Sequence, residues 1–303
     1  MEQRIAAVRA DRQHGSRWLV REAILILRDL AMMEGMSQEE QMRSLYSAGR
    51  ELAQARPAMA ALSAAVGRIL NVTGGVQAIA QQASKLLEEY DSATEHIAGY
   101  AQSLLQGTLL TCSISGTVLD VLVACRESIQ EVIVLEGRPR YEGRDMARAL
   151  SKQSIAVTLI TDAQADIFLP QCNAVVVGAD SILANGDVLN KAGTALLAWA
   201  ARGHQIPFYV LCETLKISPN SWSNDLSVLE EKEPEEVIEL PIAGVIVHNF
   251  YFDRTPYDLV TKVVTEHGIL EQQAITELAA QIRSDSRERE KRYANLHQSG
   301  KPH

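Results

Sequence analysis

Ala174–Val177 is an apolar run, rich in valine and too short for a helix, and it stops at Gly178-Ala179-Asp180. Such a run reads as a strand buried on both faces, which is how strands of a parallel sheet read. Asp180 then stands at the C-terminal end of the strand, where open α/β sheets hold their ligands. After a polar turn, Asn185-Gly186-Asp187, the segment Asn190-Lys191-Ala192-Gly193-Thr194 is expected to open a helix. Ala195, Leu196, Trp199 and Ala200 would form its apolar face and Gly203 would close it. Pro207 to Leu211 reads as the next strand, delivering Glu213 and Lys216. Two strand ends and a helix N-terminus thus aim Asp180, Asn190, Lys191 and Lys216 into one crevice. Its lysines and helix start favour an anion, phosphate above all.

The pattern upstream differs. From Arg17 to about Gln106 it is helical, with Leu19, Ala23, Ile26, Leu27 and Leu30 on the first apolar face. Breaks at Glu34-Gly35-Met36-Ser37, at Arg56-Pro57 and at Asn71 to Gly75 predict three helices and a long fourth, Val76 to Leu105. At Gly107 the period changes. Strands at Thr108–Cys112, Glu131–Leu135 and Ile155–Ile160 alternate with helices at Ser115–Arg126 and Gly143–Leu150, the mark of a parallel sheet with right-handed crossovers. Beyond Lys216 the sequence predicts a polar, acidic insertion (Ser218 to Glu239), a strand at Val245–His248, an element near Asp258–Glu266 and a last helix from Glu271 to Ile282. The expected division is a helical domain over 1–106, a sheet domain over 107–283 and a charged tail over 284–303.

A net charge of −9 argues against a surface that tracks nucleic-acid phosphates, which needs clustered Lys and Arg. Cys112, Cys125, Cys172 and Cys212 have no zinc-type spacing and lie in or beside apolar runs, as reduced thiols do. The N-terminal stretch lacks the apolar core of a signal peptide, and no run approaches a membrane span, so a cytoplasmic location is expected. The dinucleotide fingerprint, the Walker loop and HExxH are all absent.

What remains is polar residues at strand ends. Ser113, Ser115, Gly116 and Thr117 follow the first strand of the sheet; a start of this composition turns backbone N–H groups toward a phosphate or simply caps its helix. Arg138, in Glu136-Gly137-Arg138-Pro139, follows the second strand, where its guanidinium could fork onto phosphate oxygens. Arg56 and the turn His14-Gly15-Ser16 are weaker signals.

GADSILANGDVLNKAGTALLA, EGRPRYEGRDMARAL, PFYVLCETLKI and HNFYFDRTPYDLVTKVVTEHGIL resemble successive blocks of one superfamily. It contains the regulatory subunits of eukaryotic initiation factor 2B, ribose-1,5-bisphosphate isomerase and methylthioribose-1-phosphate isomerase. The resemblance covers about Gly107 to Leu270 and implies an α/β chain with an N-terminal helical domain, a Rossmann-like domain and assembly into dimers or higher oligomers. Carried over position by position, it implies ligand contacts at His14, Gly15, Ser16, Arg56, Ser115, Gly116, Thr117, Asn190, Lys191 and Lys216, with Arg138 nearby, and puts Asp180 on the family's catalytic aspartate. The family's enzymes carry a His-Cys pair at the end of the first strand of the sheet. Here Cys112 stands at the His and Ser113 at the Cys, and an unactivated serine cannot replace a thiol in moving a carbon-bound proton at neutral pH. The family's isomerases also have Arg where this chain has His14. The expected function is therefore that of a sugar-phosphate isomerase-like protein, binding or isomerising a C1-phosphorylated pentose or related phosphosugar, with Asp180 and either Cys112 or Ser113 moving protons. Such a reaction needs no metal or redox cofactor. The alternative is a non-catalytic regulatory protein that senses a nucleotide or phosphosugar.

Overall fold

The computed structural model describes residues 1–11, 15–56 and 58–298, with side chains up to residue 287. Five helices come first: α1 (Glu2–Ala10), α2 (Ser16–Ala31), α3 (Gln38–Ala53), α4 (Ala60–Leu70) and α5 (Gly75–Ala101). Leu19, Ala23, Ile26, Leu27 and Leu30 of α2 are all buried, as their spacing requires. Ser37 starts α3 with a reciprocal cap, its hydroxyl accepting from the Glu40 amide at 3.3 Å while the Glu40 carboxylate accepts from the Ser37 amide at 2.9 Å. The helix α1 has little apolar periodicity and was not expected. At α5 the two halves of the chain meet: Ile79, Ala83, Leu86 and Tyr90 pack among the other helices, whereas Ile97, Ala98 and Ala101 pack under the sheet.

The second half alternates β1 (Gly107–Cys112), α6 (Gly116–Ala124), β2 (Ile129–Leu135), α7 (Glu142–Lys152), β3 (Val157–Ile160), a single-turn α8 (Ala165–Phe168) and β4 (Ala174–Val177). A hairpin of β5 (Ser181–Ile182) and β6 (Val188–Lys191) follows, then α9 (Thr194–Gly203), β7 (Phe208–Leu211), β8 (Phe252–Thr255), β9 (Lys262–Thr265), β10 (Gly268–Leu270) and α10 (Gln272–Gln298). The main sheet has seven strands in the order β3-β2-β1-β4-β7-β9-β10, parallel except for β10. β5, β6 and β8 form a separate antiparallel sheet. The chain runs outward from β1 through β2 to β3, returns to β4 and runs out the other way, so the order reverses between β1 and β4. That is the switch point of a Rossmann-like sheet, where the strand-end loops diverge and leave a crevice.

Four expectations need correcting. Asn190 and Lys191 lie on β6, not on a helix, because they pair with Asp253 and Phe252 of β8; the helix begins only at Thr194. Its core face is Thr194, Leu197, Ala198 and Ala201, while Leu196 and Trp199 are 71% and 55% exposed. Val245–His248 is not a strand: Val245 and Ile246 are exposed, and the pairing segment is β8, whose apolar Phe252 faces inward. The last helix passes Ile282 and runs to Gln298.

Candidate functional site

The crevice is assembled from strand-end loops that need close backbone approach. A Cβ on Gly178 would fall 2.6 Å from the Ser115 hydroxyl oxygen, so only glycine lets the β4 loop lie against the start of α6. Ser115 caps that helix, accepting from the Val118 amide at 3.3 Å, and the next residues, Gly116 and Thr117, form its first turn. The Arg17 side chain lies over Gly116, and its neighbour Ser16 hydrogen-bonds the Lys216 ammonium at 2.5 Å. The beginning of α2, the beginning of α6 and the turn after β7 therefore meet at one point. Lys216 is 3% exposed, and its Nζ lies 3.9 Å from Asp180 Oδ1.

Asp180 is placed by a backbone bond from its amide to the Leu189 carbonyl, 2.9 Å. Burial raises its carboxyl above the ordinary carboxylate range, Lys216 opposes that rise and Glu230 adds to it. A carboxyl in this setting holds a proton more readily than one in water, as a group that must take up and return protons requires. The adjoining Ser181 hydroxyl donates to the Ala58 carbonyl at 2.6 Å and accepts from the Ala60 amide at 3.0 Å. This ties the segment following Arg56 beside Asp180. Arg56 itself keeps a buried Nε without a hydrogen-bond partner among the described residues.

Lys191, like Lys216, opposes the rise of the Asp180 carboxyl. Its ammonium bonds Glu142 Oε1 at 2.9 Å and lies 4.6 Å from the centre of the Tyr251 ring. Lys232, bonded to Glu230 at 2.8 Å, approaches the same ring. The Tyr251 hydroxyl donates to Glu236 and also engages Arg140. Asn190 donates to the Thr194 hydroxyl at 3.0 Å, and Thr194 in turn donates to the Lys191 carbonyl at 2.6 Å. The start of α9 is not open to an anion, because the Asp253 carboxylate already accepts from the amides of Gly193 (2.7 Å) and Ala195 (3.1 Å). Burial pushes Asp253 up to about 6.

Cys112 ends β1 with its sulfur 3.6 Å from the Thr194 hydroxyl, and burial pushes its thiol up to about 12. Ser113 is buried with a left-handed backbone, φ 59°. Arg138 is turned outward, donating to the Tyr141 hydroxyl (2.7 Å) and the Val237 carbonyl (2.9 Å); through Tyr141 it adjoins Glu142. His14 lies outside the described residues, and Gly15 is the N-cap of α2. A cavity of about 570 Å³ behind the Lys216 turn, lined by Leu215, Asn71, His267 and Asp285 among others, is separate from this crevice. Among the described residues no His, Cys, Asp and Glu cluster could hold a metal ion, and no helix is long and apolar enough to cross a membrane.

Glu142, Glu230, Lys232, Tyr251 and Asp253 were not singled out from the sequence. Asp253 carried a signal, a carboxylate directly after the aromatic run Phe250 to Phe252; Glu230 and Lys232 were hidden in an insertion that reads as solvated.

The Initiation factor 2 subunit family matches residues 12–272. The chain belongs to that family. Ribose 1,5-bisphosphate isomerase of Archaeoglobus fulgidus is 32% identical over 251 residues, covering 78% of this chain and 79% of that protein. Methylthioribose-1-phosphate isomerase of Pelotomaculum thermopropionicum is 34% identical over 264 residues, covering 77% and 72%. The crystal structure of the translation initiation factor eIF-2B of Pyrococcus horikoshii superposes with a TM-score of 0.77 at 31% identity, covering 89% of this chain and 96% of that one.

Proposed function

We propose that this initiation factor 2 family chain is a sugar-phosphate isomerase-like protein whose ligand is a C1-phosphorylated pentose or related phosphosugar. The observation that carries the reading is the buried Lys216, hydrogen-bonded to Ser16 and 3.9 Å from Asp180. A buried ammonium whose hydrogen-bond partner is a neutral hydroxyl retains attraction for an anion. Ser16, Lys216 and the α6 start then hold the phosphate, and Asp180 faces the sugar ring.

In such an isomerisation the C2 proton leaves to a base as C1=C2 forms, and the C1–O4 bond breaks with O4 taking a proton from an acid. The enol phosphate next loses its C2 hydroxyl proton while C1 gains one, leaving a ketone at C2 and the phosphate on a C1 methylene. Asp180 is the acid toward O4 and afterwards the acceptor of the hydroxyl proton. The proton that passes from C2 to C1 needs a second carrier, and Ser113 and Cys112 stand at the end of β1 for that role.

A second reading, a non-catalytic phosphosugar or nucleotide sensor, is favoured by the state of that position. The Cys112 thiol is pushed up to about 12 and bonded to Thr194, and the residue after it is serine. One experiment separates the two. A panel of C1-phosphorylated sugars is screened for binding by thermal shift and for conversion by product analysis; a ligand at 100 times its Kd adds roughly 2.7 kcal/mol. Asp180→Asn is expected to keep binding and lose roughly a hundredfold or more in turnover, the scale of a positioned acid or base. Binding by the parent protein with no conversion across the panel gives the sensor reading instead.

A further inference from the structure

Glu213 is a buried carboxylate that the proton transfers above do not use. It follows β7, is 1% exposed and joins two arms of the anion site. Its Oε1 accepts from the Thr117 hydroxyl, in the first turn of α6, at 2.7 Å. Its backbone carbonyl accepts from the Lys216 amide at 2.9 Å, closing the turn that carries that lysine. Thr117 is buried too, so its side chain is committed inward to Glu213 rather than offered to an anion.

The charge of Glu213 is uncompensated. Among the described residues it has no ion-pair partner, and its buried Oε2 accepts no hydrogen bond. Glu266, packed on the same turn, differs: it accepts from the Thr214 amide at 2.9 Å and from the Thr214 hydroxyl, and lies 3.7 Å from His267. Lys216 has the converse setting, a buried ammonium bonded to the neutral Ser16 hydroxyl, with Asp180 at 3.9 Å. A buried charge with no counter-ion in contact is costly, and its field carries far where the dielectric is low. The field of Glu213 reaches α5, where burial and next Glu213 raise the Tyr90 hydroxyl well above its ordinary range. An anion at Lys216 therefore meets a negative charge held on the same turn.

We infer that Glu213 both positions the anion site and limits its affinity. Through Thr117 it holds the α6 start in register with the Lys216 turn, and its charge opposes the anion that those two elements attract. This rests on the phosphosugar reading above.

The test is calorimetric titration of the full chain with inorganic phosphate and with ribose 1-phosphate at one ionic strength. Glu213→Gln keeps an acceptor for Thr117 and removes the charge. Both ligands should then bind roughly tenfold more tightly, the order that one unit charge exerts across about 10 Å at an effective dielectric of about 20. A residue that only stabilised the fold would not improve binding when replaced. Thr117→Val removes the tether and should weaken both ligands roughly fivefold, whereas Thr117→Ser, which keeps the hydroxyl, should bind as the parent does. This pair serves if Glu213→Gln does not fold. Unchanged or weaker binding by a folded Glu213→Gln protein overturns the inference and leaves the phosphosugar reading intact, as does parent-like binding by Thr117→Val. If the parent binds neither ligand, the inference and that reading fall together.

Discussion

At the scale of single residues, one polar group can be in the right place and yet be committed elsewhere. Asp253 is the clearest case: on β8, it caps α9 and removes that helix start from any role in anion binding. Its burial has a thermodynamic signature. Because its carboxyl is pushed up to about 6 from an ordinary value of 3.8, the folded chain holds a proton between those limits that the unfolded chain has released. The stability contributed by this group is fully present below the lower limit, falls as pH rises through the window and stays low above it. Asp253→Asn cannot titrate, so the stability of the parent relative to this variant should fall by roughly 2 to 3 kcal/mol between pH 4 and pH 6. Urea titrations of both proteins across that range check this, and a constant difference refutes it. Lys191 makes the same point: its residue type predicted an anion site, but only the fold reveals that Glu142, far away in sequence, is bonded to it.

At the scale of elements, the sequence made legible whatever depends on period and punctuation. Short apolar runs located β1, β2 and β4, and the breaks at Gly35, Arg56 and Gly74-Gly75 separated the early helices. It was less legible where two patterns of similar composition compete. Val188-Leu189-Asn190-Lys191 is strand because β8 supplies an edge to pair with, a long-range fact that no local window contains. Val245–His248 has strand composition and finds no such edge. Ser115, Asp180 and Lys216 follow β1, β4 and β7 as expected, because a buried strand has only one exit, whereas Lys191 was expected at a helix start and lies on β6; its partner Glu142 arrives from α7. The start of α7 is held by contact, too. A Cβ on Gly143 would fall 1.8 Å from the Leu135 carbonyl oxygen, an obstruction by backbone that no side-chain rotation relieves. Gly143→Ala is therefore expected to cost about 2 kcal/mol or more, the upper range for overpacking. Chemical denaturation reads the loss as a lower midpoint with the slope unchanged; a change below about 0.5 kcal/mol contradicts it.

At the scale of the whole molecule, the helical layer and the sheet share more than a linker. The long α5 belongs to both cores, and α10 lies across both, with Asn71 of the α4 end donating to the Asp285 carbonyl at 3.1 Å and Thr276 donating to the Ala184 carbonyl at 3.0 Å. The resemblance to the initiation factor 2B group leads us to propose that this unit assembles further, into a dimer or a higher oligomer. Sedimentation at micromolar concentration should then give at least twice the 33.3 kDa chain mass, and a lone monomer would falsify it. Within one chain, the tie between Ser181 and the Ala58–Ala60 backbone works as a mechanical interlock. The residue that clamps the helical layer to the sheet is the immediate neighbour of the carboxyl that would move protons. Any displacement of the α4 start from β5 would therefore pull on the peptide next to Asp180.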